Sequence, residues 1–251
     1  MPRYTPLEKE IFHVHTKRCK HASDETDSEY VEKAIALGAE RIVFTDHVPF
    51  PDDPFPCRMD YSELNEYLSS INNLKSIYDG RIEILCGFEV EFLPDYLGYF
   101  KELRASEKID LLIIGQHFFQ HSPGCYSLCD TDKTFEYRGQ CEAMAQGIES
   151  GLFDVVAHPD RSFRKTKIFG EKENEAASLV INAALNRTDF IPFFEKNLSS
   201  VMYYDMYRED FWKLVPNDIS VITGYDAHAT STLKEGWEYV STLKKENPDN
   251  E

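Results

Sequence analysis

Seven times along this chain a short apolar or β-branched run gives way to a polar loop and then to a helical pattern. The runs are IFHVH (11–15), RIVFTDH (41–47), IEILCGFEVEF (82–92), DLLIIGQHF (110–118), FDVVAHPD (153–160), FIPFFEKN (190–197) and SVITGYDAH (220–228). Between them lie helical candidates such as SEYVEKAIALG, in which Val31, Ala34, Ile35 and Gly38 recur at helical spacing. Further candidates are SELNEYLSSINNLKSIY, DKTFEYRGQCEAMAQGIESG, EKENEAASLVINAALN and TLKEGWEYVSTLKK. Strands that are apolar throughout and separated by helices read as a parallel sheet covered on both faces. No linker, low-complexity block or internal repeat interrupts the series. The pattern therefore predicts α/β architecture in a single domain over residues 1–251, closed or nearly closed into a barrel, rather than two domains.

Composition narrows the partners. At 42% hydrophobic and 28% charged residues, the chain has the make-up of a globular protein with a substantial core. Its 27 Lys+Arg against 44 Asp+Glu give a formal charge of −17, which argues against nucleic acid or an anionic membrane as a bulk partner. No apolar run approaches the roughly 20 residues of a membrane span, and the start MPRYTPLEKE lacks a signal-like apolar stretch. A cytoplasmic location is the expectation, and the six scattered cysteines read as reduced thiols. The closest pair, Cys125 and Cys129, is a weak metal signal.

The histidines carry the chemistry. His13, His15, His21, His47, His117, His158 and His228 all fall at or just beyond the C-terminal end of a predicted strand; His121, in the HSPG loop, reads as a surface residue. Glu89 ends the third strand, Glu195 the sixth, and Asp226 precedes His228 by two. In parallel barrels this rim is where side chains from different strands converge. Along a regular strand His13 and His15 would share one face about 7 Å apart, and Asp226 and His228 would do the same. Imidazole and carboxylate without thiolate suit Zn, Mn or Fe. Several ions in one pocket point to hydrolysis at phosphorus, and an amide or lactam hydrolase uses the same set. No H-E-x-x-H, G-x-S-x-G or Walker motif is present.

At HVHTKRCKHA (13–22), FTDH (44–47), GFEVEF (87–92), GQHF (115–118), AHPD (157–160) and GYDAH (224–228) the chain resembles the polymerase and histidinol phosphatase (PHP) family. That resemblance implies a distorted (β/α)7 TIM-like barrel holding three divalent metal ions (Zn, Mn or Fe) and hydrolysing phosphate esters. It assigns the first ion to His13, His15, Glu89 and Asp226, with Glu89 bridging to a second ion on His117 and His158. The third ion would take His21, His47 and His228. Asp46, beside His47, either orients a ligand or is an ordinary strand-end acid. Asp226, His228 or a metal-bound water would protonate the leaving oxygen.

The His15–His21 spacing and the segment HPDRSFR resemble the family's histidinol-phosphate phosphatases. The expected substrate is thus a small phosphorylated metabolite, with histidinol phosphate favoured. The alternatives are a nucleotide, a sugar phosphate, phosphotyrosine, or a non-catalytic metal-binding role. Arg164 or Arg161 would clamp the phosphate, Lys17 and Arg18 being weaker candidates. The family's Glu-x-Asn motif survives as Glu195 and Asn197, but Met202 stands where a substrate-binding Arg is expected. Either another cation replaces it or the substrate differs. The loop PFPDDPFPC (49–57) either covers the pocket, with Phe50 and Phe55 on a substrate ring, or is rigid surface. Three divalent ions would offset about six of the seventeen negative charges and gather positive potential at the rim.

Overall fold

The structure, a computed structural model, describes residues 4–127, 136–203 and 205–246, with side chains to residue 242. Cys129, the first residues of the pattern DKTFEYRGQCEAMAQGIESG and the residues beyond 246 lie outside that description. The main elements run β1 (Glu10–Val14), α1 (Asp27–Leu37), β2 (Arg41–His47), α2 (Leu64–Ile77), β3 (Glu83–Val90), α3 (Leu97–Ala105) and β4 (Leu111–Ile114). A hairpin, β5 (Gln120–Ser122) and β6 (Cys125–Tyr126), precedes α4 (Tyr137–Ser150), β7 (Val155–Ala157) and α5 (Glu171–Leu185). The chain continues through β8 (Phe193–Asn197), α6 (Leu198–Met202), α7 (Glu209–Trp212), β9 (Val221–Gly224) and α8 (Thr230–Glu246).

Seven strands form one sheet in the order β1-β2-β3-β4-β7-β8-β9, with parallel pairing at β1/β2, β4/β7 and β7/β8. Beyond β9 the chain runs beside β1: Tyr225 N–H donates to Phe12 O at 2.8 Å, and His15 N–H donates to Ala227 O at 2.9 Å. The strand order thus returns to its start, as in a distorted (β/α)7 barrel.

Two compact units make up the chain. One holds Pro6–Gly87 and the residues from Gly224 onward; the other holds Phe88–Thr223 and the residues up to Thr5.

In the first unit every residue of β2 is buried: Ile42, Val43 and Phe44 lie in the core, and the polar Thr45, Asp46 and His47 lie buried at its C-terminal end. At its N-terminal end Arg41 joins Glu10 at 3.3 Å and Glu83 at 2.8 Å, pinning the starts of three strands. Helix α1 begins with a capping box: Glu29 N–H donates to the Thr26 hydroxyl, and Thr26 N–H donates to the Glu29 carboxylate at 2.6 Å. It ends at Gly38, whose φ of 87° favours glycine.

In the second unit β4 is buried throughout, and α4 packs on α5; Cys141 and Met144 of the one and Ala177 and Val180 of the other are buried. Gly147 lets α4 approach closely, because a Cβ there would lie 2.3 Å from Ile114 Cδ1.

The strand alternation expected at the histidines is replaced by something more irregular. Between Ile11 and Val14 the β1/β2 register shifts, and His13 takes a φ of 69°. Strand β9 ends at Gly224, so Asp226 (φ 48°) and His228 lie beyond it. His158 (φ 34°) likewise follows β7 in the left-handed region. Such backbone costs a non-glycine residue about 1–3 kcal/mol and concentrates where side-chain direction matters. A bulge, rather than the two-residue pleat, turns His13 and His15 toward each other. Helix α3 and the β5–β6 hairpin add to the predicted elements; His121, in that hairpin, is exposed as expected.

Candidate metal centre

In the unit built on β1 and β2, six predicted ligands converge. His13 and His15 have ring centroids 5.0 Å apart, and the His15 ring stacks on His228 at 4.3 Å and lies 4.6 Å from His47. Ligand atoms of His15, His47 and His228 lie within 4.8 Å of one another, as do those of His13, His15 and Asp226. An ion with bonds of about 2.0–2.2 Å spans sets of this size after small side-chain adjustments.

The hydrogen bonds assign the ring faces. His21 Nδ1 sits 2.8 Å from Cys19 O and His228 Nδ1 sits 3.0 Å from Asp226 O. A carbonyl only accepts, so each Nδ1 carries the proton. Burial lowers the pKa of both rings, to about 3 for His228, so both are neutral near pH 7. Their Nε2 atoms then face each other at 2.9 Å with two lone pairs and no proton to share. A cation satisfies that arrangement, and His ligands commonly turn the other ring nitrogen to a carbonyl in this way. The donor set therefore fits a divalent metal.

His15 has the opposite bias. Burial pulls its pKa down, but hydrogen bonding to Asp226 and Asp46 outweighs this and raises it to about 9. Its Nε2 is 3.1 Å from Asp226 Oδ1, its Nδ1 is 3.6 Å from Asp46 Oδ1, and all three residues are buried. Without metal, a positive charge on His15 neutralises carboxylates that a cation would otherwise serve.

The other unit carries Glu89, His117 and His158. His158 Nε2 is 2.7 Å from Glu89 Oε1, and His117 Nε2 is 3.8 Å from the same oxygen. Burial, reinforced by Arg161, lowers the His158 pKa to about 3. Glu91, which sequence reasoning missed, holds His117 Nδ1 at 3.0 Å. The signal was present in GFEVEF, where the second acid follows Glu89 by two residues.

Arg161 lies beside this set. Its guanidinium donates to the Ser200 hydroxyl at 3.0 and 3.2 Å and to the Ser199 hydroxyl at 3.3 Å. Those serines are fixed by Asn197, whose Oδ1 accepts from Ser199 Oγ at 2.8 Å and Ser200 N at 3.1 Å; Asn197 Nδ2 donates to buried Glu195 at 3.2 Å. The Glu-x-Asn motif thus fixes two serines of the helix that carries Met202, and these hold Arg161 from the 159–163 turn. Arg164 donates to Arg161 O at 3.1 Å, and burial together with Arg161 lowers its pKa. Two adjacent guanidinium groups favour an anion.

Several sequence expectations change. Arg18 is buried in ion pairs with Asp27 and Glu66, so it is no free phosphate cation, whereas Lys17 is exposed. Phe50 and Phe55 are buried edge to face at 5.0 Å with the Arg58 guanidinium over both rings; they serve loop packing rather than a substrate face. A sulfur also joins the His21–His228 group, since Cys19 completes a potential ligand trio. Burial raises its pKa to about 12, so without metal it is a neutral thiol. Among the described residues, Cys19, Cys57, Cys86, Cys125 and Cys141 form no disulfide. Among the described residues, no helix is long and apolar enough to cross a membrane.

A barrel of parallel strands whose C-terminal ends carry buried imidazole and carboxylate clusters defines the class of metal-binding α/β-barrel proteins. The chain matches the PHP domain over residues 12–191, and it belongs to the PHP family. It is 35% identical over 271 residues to the histidinol-phosphatase of Bacillus subtilis (strain 168), covering 95% of this chain and 100% of that protein. Its fold is similar to that of HisK from Listeria monocytogenes, with a TM-score of 0.71 at 18% identity over 92% of this chain and 99% of that one. It is also similar to histidinol phosphate phosphatase from Lactococcus lactis subsp. lactis Il1403, solved with Zn, L-histidinol and phosphate. That TM-score is 0.67 at 22% identity, over 96% of this chain and 94% of that one.

Proposed function

We propose that this protein is a metal-dependent phosphomonoesterase that hydrolyses histidinol phosphate to histidinol and phosphate. The observation that carries this reading is the 35% identity to the B. subtilis histidinol-phosphatase, which spans that whole protein. The metal ligands are His13, His15, His21, His47, His228 and Asp226 in one unit, with Glu89, His117 and His158 in the other. Together they provide for three divalent ions, of which zinc suits the imidazole-rich set. When bound, such ions acidify water and neutralise charge developing on phosphoryl oxygens.

The protein's own groups supply the rest. Arg161, held by Ser199 and Ser200, binds the phosphate in place of the cation lost at Met202, with Arg164 adding positive potential. His228 is neutral near pH 7 and acts as a ligand. Asp226, whose Oδ1 faces His15 Nε2 at 3.1 Å, would serve as a ligand and hold that ring in place. Free thiols and a small polar substrate fit a cytoplasmic enzyme working as one catalytic domain.

The test is a panel of phosphate esters assayed after loading with Zn or Mn. Turnover of histidinol phosphate should exceed that of nucleotides, sugar phosphates and phosphotyrosine by at least tenfold. Strong nucleotide turnover with none of histidinol phosphate would overturn the substrate. Failure to hydrolyse even p-nitrophenyl phosphate would overturn the activity.

A further inference from the structure

We propose that Arg18 is a positioning residue for the metal centre, acting through the Thr16 hydroxyl and the Asp46 carboxylate to fix His15. The proposal rests on the reading of His15 as a metal ligand.

Arg18 is largely buried, and its donors are committed. Nε and Nη2 donate to Glu66 at 2.6 and 3.0 Å, while Nη1 and Nη2 donate to Asp27 at 2.8 and 2.9 Å. Ser70 adds a hydroxyl to Asp27 at 2.6 Å, and the guanidinium lies over the Tyr67 ring at 5.7 Å. From this anchor Nη1 also donates to Thr16 Oγ1 at 3.0 Å.

Donor arithmetic sets the direction of the chain. Guanidinium has no acceptor, so Thr16 Oγ1 must accept from Arg18, and its single proton goes to Asp46 Oδ2. Asp46 Oδ1 accepts the Thr16 backbone N–H at 2.9 Å and lies 3.6 Å from His15 Nδ1. Both carboxylate oxygens are therefore held, and the group cannot rotate away from the imidazole. At 3.6 Å that carboxylate confines the ring by its charge and packing and leaves Nε2, 3.1 Å from Asp226 Oδ1, for the ligand cluster. Thr16, Asp46 and His15 are fully buried, so water offers no substitute partners. The two carboxylates on Arg18 hold the guanidinium in place, and the threonine hydroxyl passes on orientation without adding a charge beside the metal.

Thr16→Val isolates the relay. It preserves shape, removes the hydroxyl, and leaves the bonds from Arg18 to Asp27 and Glu66 in place. Metal-free wild type, Thr16→Val and Thr16→Ser would be titrated with zinc against a chromophoric chelator, with urea unfolding run alongside. Thr16→Val should bind zinc about 10–100-fold more weakly at a His15-containing site, and Thr16→Ser should restore wild-type affinity. If valine prevents folding, Thr16→Ala replaces it in the same comparison. Wild-type zinc affinity in Thr16→Val would overturn the proposal, and so would equal weakening in Thr16→Ser, because the serine keeps the hydroxyl. Wild type that takes up no zinc would refute the metal reading and the proposal with it.

Discussion

Gly115, in the GQHF motif after β4, allows the Glu89 carboxylate its place, and Gly115→Ala should remove it. A Cβ at residue 115 would lie 1.8 Å from Glu89 Oε1 and 2.5 Å from its carboxyl carbon. Contacts below 3.0 Å do not persist, so the carboxylate must retreat by more than an ångström. Glu89 is 1% exposed, which leaves little room for that retreat. Its 2.7 Å approach to His158 Nε2 would be lost. A misplacement of about 1 Å in a catalytic constellation is commonly worth about 100-fold in rate. We therefore expect Gly115→Ala to lower both bound metal per chain and kcat/KM, the latter by about 100-fold. Elemental analysis and steady-state assays with histidinol phosphate would measure both. Gly98→Ala is the control: a Cβ there meets nothing within 4 Å, and both quantities should stay at wild-type values. Full metal content and wild-type turnover in Gly115→Ala would refute the assignment of Glu89.

Three further outcomes follow from buried charge. Zinc binding near pH 7.5 should release about one proton from His15, whose metal-free pKa is raised to about 9, measurable by calorimetry in buffers of differing ionisation enthalpy. No release would contradict the carboxylate environment of that ring. Metal-free stability should peak near pH 6.5. Below it, His158 and His228, held near 3, make the folded state bind fewer protons than the unfolded one, so stability falls with falling pH. Above it, the contribution of His15 is lost as pH rises through about 9. Each group contributes a slope of at most about 1.4 kcal/mol per pH unit, and urea titrations of the metal-free protein at several pH values test the sign. Arg104→Ala should destabilise the protein by about 3–5 kcal/mol in urea, because fully buried Asp154 would lose its two-point partner at the start of β7. A change below 1 kcal/mol would mean that the Asp154 charge is satisfied elsewhere.

The sequence made the strands legible where burial is complete. The run 41–47 is β2 residue for residue, because its β-branched and aromatic centre, Ile42, Val43 and Phe44, suits a strand covered on both faces. Helix α3 was harder to read, since Phe100 and Leu103 are its only buried residues. The convergence of the histidines was legible from their placement, but its geometry was not. The left-handed backbone at His13, His158 and Asp226 occurs in non-glycine residues and leaves no signature in composition or spacing. The roles of Arg18 and Glu91 depend on partners brought together by the fold, so sequence proximity suggested a phosphate cation for one and nothing for the other.

Metal dependence of histidinol phosphate hydrolysis tests the account most directly. The protein would be stripped with a chelator, assayed, reloaded with zinc or manganese, and assayed again with bound metal counted by elemental analysis. Hydrolysis by the stripped protein should be negligible and should recover as metal approaches three ions per chain. Equal hydrolysis before and after stripping, or none when fully loaded, would contradict the account.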